Sequence, residues 1–309
     1  MTQLFWNAYK RIEKEFLALA EVVHIDDDQL KVYSSKISDL LVRTAIECEA
    51  LSKELYHANG GTKPSGKDLY FDTDCLGLLH DKWKIDQKKI FVTSPFLYLE
   101  KEEDRVLTPL HKSFKRGTSS SKWQIAYQAV KHDRANNLKK GTIDNLLQAM
   151  GALYILNIYY RDANYTPVAD KDASNIDWSL GSELFAVKVC AEHDGASAHA
   201  IYEKKADYDE CIYFVKHTDK TGKAVLDLFS KFQKQVNDEV VNGTQQSVEA
   251  KLKSGELNVA SPVFQDEVKA IAEEQQKNAF QRVGRQQGRE IANALQGLKF
   301  EALLNKQQY

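Results

Sequence analysis

Residues 119–162 read SSSKWQIAYQAVKHDRANNLKKGTIDNLLQAMGALYILNIYYRD, and the second half of this stretch decides the fold. Residues 142–160 are apolar on almost every face of a helix. A surface helix would carry polar residues along one side, so this composition predicts a helix that is buried at the centre of a bundle. Thr142 is a suitable N-cap, because its hydroxyl can accept a hydrogen bond from the first helical turn.

Two amphipathic helices are predicted before this stretch. Apolar residues recur every three or four positions over residues 2–23 and again over residues 30–55, a spacing that gathers them on one face of each helix. The short connection through Asp26, Asp27 and Asp28 favours an antiparallel hairpin. We therefore expect a mostly α-helical protein with an N-terminal helical bundle over residues 1–165.

The sequence changes character near residue 170, where we place a domain boundary. Residues 183–190 (ELFAVKVC) and 210–217 (ECIYFVKH) alternate in polarity as strands do. Helices are predicted again over residues 220–241, as a short segment at 245–253, and from Pro262 to about Asn305. Residues 170–309 are therefore expected to form an α+β region with two or three strands and long C-terminal helices.

The composition is that of an ordinary globular protein, with 43% hydrophobic residues, 28% charged residues and a net charge of −2. Such a charge gives no general attraction to nucleic acid or anionic lipid, so binding to either would need a local patch. No apolar run reaches the roughly 18 residues that a transmembrane helix needs. The four cysteines lack the spacing of a metal site or a disulfide framework. We expect a cytoplasmic protein with no cofactor, metal or membrane partner.

Positive charge is concentrated between Arg105 and Gly141, where nine basic residues face a single acidic one. Aromatic residues lie among these charges, and aromatic faces beside cations are what single-stranded RNA or a nucleotide base binds. The alternative is a solvated basic loop in which the aromatic residues are core anchors. The candidate nucleic-acid-binding residues are Lys115, Arg116, Lys122, Trp123, Tyr127 and Lys131.

His132 is the candidate catalytic residue. A histidine can take or give a proton at neutral pH, and Lys131 or Arg134 could hold a phosphate beside it. These are the groups needed to cleave RNA without a metal, with the 2′-hydroxyl as nucleophile. The alternative is a histidine that is hydrogen-bonded within the bundle.

Three features together carry a family resemblance: the segment Y-x-x-V-K-H-x-R at residues 127–134, the long apolar helix after it, and LVRTAIECEAL at residues 41–51. A bundle with these features resembles the HEPN superfamily of nucleotide- and RNA-associated proteins, over about residues 1–162. The resemblance implies a metal-independent endoribonuclease, often dimeric, in which an R-x4–6-H motif from each subunit meets at the interface. Many members of that superfamily belong to bacterial toxin and phage-defence systems.

The sequence departs from the motif of that superfamily. No arginine lies five to seven positions before His132, and the one literal match, from Arg105 to His111, contains Pro109. If His132 is the histidine of the superfamily, its arginine partner would be Arg134 or Arg43, brought close by the fold. This departure bears on catalysis more than on the bundle fold.

A second basic face is predicted on the C-terminal helix, at Arg282, Arg285 and Arg289. Small residues recur every fourth position beside it and would let another helix approach closely, although local packing is their commoner meaning in a soluble helix. These small residues are Gly284, Gly288 and Ala292.

Two hypotheses about function follow from the whole sequence. The first is an RNA- or nucleotide-interacting protein of defence or toxin type that cleaves RNA; the second is a non-catalytic module that forms a homodimer or binds another protein.

Overall fold

The computed structural model describes residues 3–62, 68–111, 121–166, 175–191 and 205–308. Helices dominate this described part, so the protein is mostly α, as the sequence predicts. The helices are α1 (Leu4–Ala20), α2 (Ser35–Ala58), α3 (Leu76–Trp83), α4 (Glu102–Arg105), α5 (Lys122–His132), α6 (Arg134–Asn137), α7 (Ile143–Arg161), α8 (Asp219–Ser254) and α9 (Phe264–Gln296). The strands are β1 (Ile25–Asp26), β2 (Ile90–Val92), β3 (Leu97–Tyr98), β4 (Val106–Leu107), β5 (Phe185–Val187), β6 (Val189–Ala191), β7 (Tyr213–His217) and β8 (Phe300–Leu304).

Helix α7 is the buried centre of the fold, which confirms the prediction from its composition. Fifteen of its nineteen residues are buried, and they lie on all sides of the helix. Thr142 is the N-cap, and its hydroxyl accepts a 3.2 Å hydrogen bond from the Asn145 backbone N–H. Helices α1, α2 and α5 pack around α7.

The connection between α1 and α2 differs in detail from the prediction. A 3₁₀ turn, Gln29–Lys31, precedes α2, which begins only at Ser35. The Ser34 hydroxyl caps it by accepting a 3.2 Å hydrogen bond from the Ile37 N–H. A serine in extended conformation satisfies one free N–H of the first turn, and so sets where the helix starts.

Three small sheets lie beside the bundle. Strands β1 and β3 pair in parallel, β4-β2-β5 form an antiparallel sheet, and β6-β7-β8 form a mixed one. The single strand expected at residues 183–190 is two strands, β5 and β6, which belong to different sheets. Strand β8 occupies residues that the sequence assigned to the last helix, and it pairs antiparallel with β7.

Residues from both sides of position 170 share one apolar core. Leu153 of α7, Phe185 of β5, Tyr213 of β7 and Leu304 of β8 all belong to the same buried cluster. The chain therefore packs its N-terminal helices and its later strands against each other. The division into two domains near residue 170 stays a prediction.

Helices α8 and α9 form a long antiparallel hairpin, which we call the arm (residues 219–296). At 1.5 Å per residue it is about 50 Å long. Its two helices pack mainly on each other, around a small cluster of Val236, Ala279 and Val283 that is separate from the main core. The arm lies between the paired strands β7 and β8 in sequence. None of the described helices is both long and apolar enough to cross a membrane.

Candidate functional site

An open cleft of about 870 Å³ lies between α2, the segment at residues 69–72 and α5. Helix α2 contributes Ala45, Glu49 and Lys53, which are four residues apart and therefore lie on one face. Helix α5 contributes residues along its whole length, from Trp123 to His132. The cleft therefore contains several of the residues that the sequence singled out.

Trp123 forms a fixed part of the cleft wall. Its indole Nε1 donates a 2.8 Å hydrogen bond to the Pro109 carbonyl, and its ring meets Phe71 edge-on at 6.2 Å between centroids. Only 1% of Trp123 is exposed. Because its ring faces are covered, Trp123 supports the cleft and offers little surface on which a base could stack.

Tyr127, one turn later on α5, is also buried, with 2% of its surface exposed. Its hydroxyl is buried, and the Lys131 ammonium lies 5.2 Å from the centre of its ring. Burial raises the pKa of Tyr127 above its usual value; the Glu49 carboxylate acts in the same direction, and Lys131 opposes it. Tyr127 therefore stays a neutral phenol that lies against α2.

The accessible apolar surface of the cleft comes from other side chains. Tyr70 and Phe71 are half-buried, and Ile125 is 45% exposed. The segment that presents Tyr70 and Phe71 runs into a π-helical turn, Phe71–Cys75, which continues directly into α3. The Tyr70 backbone N–H donates a 2.7 Å hydrogen bond to Asp74, which fixes the start of this turn.

The polar groups of the cleft are of both signs. Glu49 and Asp72 supply carboxylates, while Lys53 and His132 supply basic groups. The His132 side chain is exposed at the end of α5, and Lys131 is exposed beside it. This mixture can accept hydrogen bonds from N–H groups of a ligand and can hold an anion at the same time.

Neither arginine that could partner His132 lies in the cleft. The Arg134 Nη1 is 2.6 Å from an Asp39 carboxylate oxygen on α2, because Asp133 caps the short α6 and turns the chain away. Arg43 pairs with Glu15 at 2.7 Å. The literal motif match does not lie on one helix either, because Arg105 ends α4 and Val106 begins β4. A histidine–arginine pair is therefore not assembled in the cleft by the described residues of one chain.

The other predicted basic residues are spread over different surfaces. Lys122 pairs with Asp144 at 2.5 Å near the start of α5. Lys115 and Arg116 lie outside the described residues. Arg282, Arg285 and Arg289 are exposed on the arm, where Arg282 lies 3.5 Å from Glu239.

Sequence reasoning missed three charged cleft residues, Glu49, Lys53 and Asp72, and also the apolar residues Tyr70, Phe71 and Ile125. The first two had a usable signal, because they follow Ala45 at intervals of four on a predicted helix. Asp72 had none, since its position depends on the π-helical turn. Among the residues that the structure describes, no group of three histidine, cysteine or acidic side chains is placed to hold a metal ion.

Comparisons of the chain with protein-family models, with curated proteins and with solved structures found no match. The chemistry of the cleft therefore has to be inferred from its own side chains. Those side chains offer an apolar wall, two carboxylates, a lysine and an exposed histidine.

Proposed function

We propose that the cleft between α2 and α5 binds a nucleotide unit, either of RNA or free in solution, and that the surrounding bundle is of HEPN-like type. The observation that carries this proposal is the position of His132, which is exposed at the cleft opposite Lys53, Glu49 and the half-buried Phe71. A base and a phosphate each find a complementary group at this one opening.

The base is assigned to the side formed by Phe71 and Ile125. A heteroaromatic ring can replace water on these partly exposed apolar surfaces, as bases do on aromatic side chains in RNA-binding proteins. The carboxylates of Glu49 and Asp72 can accept hydrogen bonds from the N–H groups on the edge of the base. Bases that carry N–H groups on this edge should therefore bind better than a uracil whose ring N–H is replaced by a methyl group.

The phosphate is assigned to Lys53, Lys131 and His132. Lysine and protonated histidine donate charge-assisted hydrogen bonds to phosphate oxygens. The carboxylates on the same walls oppose phosphate binding, so we expect modest affinity that falls as salt rises. This balance distinguishes the cleft from a strongly basic groove.

Cleavage of RNA, of the kind known in bacterial defence and toxin systems, is the stronger form of the proposal. His132 would take the proton of a 2′-hydroxyl while that oxygen attacks the adjacent phosphorus. The bond to the 5′-oxygen then breaks, and this oxygen takes up a proton from water as it leaves, while His132 later releases the proton of the 2′-hydroxyl to solvent. The phosphate charge in this step would be stabilised by Lys53 and Lys131, or by an arginine from a second copy of the chain.

Binding is tested by fluorescence anisotropy with short labelled RNAs and with labelled nucleotides at low salt. Lys53→Ala should weaken binding several-fold, whereas Lys82→Ala, an exposed lysine on α3 away from the cleft, should leave it unchanged. Equal affinity of both variants and the wild type would contradict the assignment of the cleft.

Cleavage is tested separately, by incubating RNA with the protein in EDTA. His132→Ala should abolish cleavage, while His57→Ala, an exposed histidine near the end of α2, should retain it. Binding without cleavage by the wild type would leave a nucleotide-binding protein and remove the nuclease.

A non-catalytic interaction role is the second candidate function. It is favoured by the arm, which packs mostly on itself and exposes charged and apolar side chains along about 50 Å. The two roles concern different surfaces and can coexist in one protein.

A further inference from the structure

Two cysteines, Cys190 on β6 and Cys211 just before β7, have their side chains in contact. The Cys211 S–H donates a hydrogen bond to the Cys190 sulfur. Both residues belong to a small buried cluster with Tyr208 and Phe214 that is separate from the main core. The spacing of the cysteines in the sequence could not reveal this pair, because strand pairing brings the two residues together.

The backbone holds each sulfur in its place. Strands β6 and β7 pair in parallel, which fixes Cys190 beside the start of β7, and its sulfur lies 3.9 Å from the Tyr213 carbonyl oxygen. Cys211 follows directly on the 3₁₀ turn Tyr208–Glu210, and its sulfur lies 3.2 Å from the Asp207 carbonyl oxygen. A strand positions one thiol and a turn positions the other, so their contact is a product of the fold.

The two thiols differ in acidity. The hydrogen bond from Cys211 lowers the pKa of Cys190 below its usual value of 9.0, and this effect outweighs that of burial. The Lys205 and Lys88 ammonium groups also lower this pKa, whereas the Asp207 carboxylate opposes them. The pKa of Cys211 is raised far above the usual value, because Cys211 donates the hydrogen bond and is buried. Cys190 is therefore the sulfur that ionises first.

The other two cysteines of the chain lack these properties. Burial raises the pKa of Cys48 well above its usual value and that of Cys75 to about 11. Cys190 is 7% exposed, whereas the other three cysteines are 0% exposed. Strand β6 also lies at an edge of its sheet in the described part of the chain. Because oxidants react with an accessible thiolate much faster than with a buried thiol, a small oxidant should react with Cys190 first.

We propose that Cys190 and Cys211 form a peroxide-sensitive pair that closes to an intramolecular disulfide. The Cys190 thiolate attacks one oxygen of hydrogen peroxide, so that an S–O bond forms, the O–O bond breaks, and the second oxygen takes up a proton and leaves as water. The Cys211 sulfur then attacks the Cys190 sulfur, and its proton passes to the departing hydroxide, which leaves as water. The thiol pair loses two electrons, and the peroxide gains them.

The position of β6 allows the small movement that the new bond needs. The sulfurs of a disulfide are about 2.05 Å apart, so a hydrogen-bonded pair has to move roughly 1–2 Å closer. An edge strand can shift by this distance, because it is paired on one side and not held between two strands. The disulfide would then join β6 covalently to the start of β7, the strand that leads into the arm.

Peroxide treatment of the folded wild type tests this proposal. The protein is reduced, exposed to a few equivalents of hydrogen peroxide, unfolded, and alkylated at its remaining thiols. Peptide mass spectrometry should find Cys190 linked to Cys211, while Cys48 and Cys75 are still alkylated. Dithiothreitol should restore all four thiols. The proposal is overturned if the pair stays reduced, or if Cys48 or Cys75 enters disulfides in comparable yield.

The wild type in denaturing urea provides a control that needs no substitution. The unfolded chain has no hydrogen bond between the two thiols, so the same disulfide should form more than about tenfold more slowly. An equal rate in the folded and the unfolded protein would show that the fold does not activate Cys190.

Variants separate the roles of the two sulfurs. Cys211→Ala should accumulate a sulfenic acid at position 190, which dimedone traps, because the second sulfur is missing. Cys190→Ala should give neither the disulfide nor the trapped adduct, and an adduct on its Cys211 at the same rate would contradict the assignment of the attack. Cys48→Ala removes a buried cysteine outside the pair and should form the disulfide at the wild-type rate. Circular dichroism verifies that each variant is folded.

This inference is independent of the nucleotide site. Neither Cys190 nor Cys211 lines the cleft between α2 and α5. Failure of the disulfide to form would therefore leave the proposed function standing, and failure of RNA binding would leave the cysteine pair standing.

Discussion

The Tyr9 hydroxyl donates a 2.8 Å hydrogen bond to the Glu13 carboxylate, and both side chains are completely buried. The same carboxylate accepts hydrogen bonds from the Ser182 hydroxyl at 2.6 Å and from the Glu183 backbone N–H at 2.9 Å. Lys10 forms an ion pair with its other oxygen. Glu13 thus connects the first helix to the segment that leads into β5, across about 170 residues of sequence.

Replacing Glu13 by glutamine should lower the free energy of unfolding by about 3 kcal/mol, because the amide NH2 group would face the Lys10 ammonium and Lys10 would lose the buried one of its two carboxylate partners, Glu13 and Glu183. Urea denaturation measures this change. Glu15→Gln is the matched control on the same helix, where the carboxylate pairs with Lys36 and Arg43 at the surface. It should cost less than about 1 kcal/mol. Similar losses for both variants would contradict the structural role of Glu13.

Stability should fall at alkaline pH because several tyrosines are buried. Desolvation raises the pKa values of Tyr9, Tyr154, Tyr159 and Tyr213 above their usual value of 10.0. In the unfolded chain these phenols ionise near pH 10, so the stability due to their neutral form is complete below that pH and is lost as pH rises further. Absorbance at 295 nm should show surface tyrosines titrating first and the buried ones only as circular dichroism reports unfolding. Titration of all tyrosines near pH 10 in a folded protein would refute this.

Gly141 should not tolerate a side chain. A Cβ atom there would lie 2.9 Å from the Cβ and 3.1 Å from the Cα of Ser38 on α2. Gly141→Ala should therefore lower stability by about 1–3 kcal/mol, since the backbone of α2 would have to move. Gly222→Ala, where a Cβ meets nothing within 4 Å, should be neutral or favour helix α8 by up to about 1 kcal/mol. Thermal unfolding of the two variants provides the comparison.

The pairing of Arg134 with Asp39 gives a prediction about RNA binding. Because Arg134 lies outside the cleft, Arg134→Ala should leave the dependence of RNA affinity on salt unchanged. Lys53→Ala should reduce the slope of log K against log salt by about one, as expected for loss of one phosphate contact. The opposite result would assign the phosphate contact to Arg134 instead of Lys53. It would then support the histidine–arginine pair that the family resemblance implies.

The sequence predicted most reliably the parts of the fold that depend on local pattern. Helix α7 was identifiable because its apolar residues cover all faces, and its N-cap because Thr142 follows a glycine. Strand β8 was not, since residues 300–304 contain nothing that breaks a helix, and their conformation depends on pairing with β7, more than 80 residues earlier. Helix α8 was predicted to break near Gly243, but it is continuous from Asp219 to Ser254. The glycine lies where α9 approaches closely, because a Cβ atom at position 243 would be 2.7 Å from Gln275 Oε1.

His132 was selected from residue chemistry alone, and its catalytic role stays a prediction. The structure places this residue, exposed, at an open cleft. The sequence also proposed Trp123 and Tyr127 as binding residues, and the structure places both in the wall with their surfaces covered. The carboxylates opposite His132 come from α2 and from the π-helical turn. Which helices border a cleft is a property of packing, so residue spacing within α5 alone could not reveal them.

Strands β7 and β8 are direct neighbours in their sheet, although the whole arm lies between them in sequence. The two chain ends that enter and leave the arm are therefore held side by side by the sheet itself. A hairpin anchored in this way can gain or lose whole helical turns without changing the position of either strand. Relatives of this protein, if they use the arm for contact, could thus differ in its reach while keeping the same globular body.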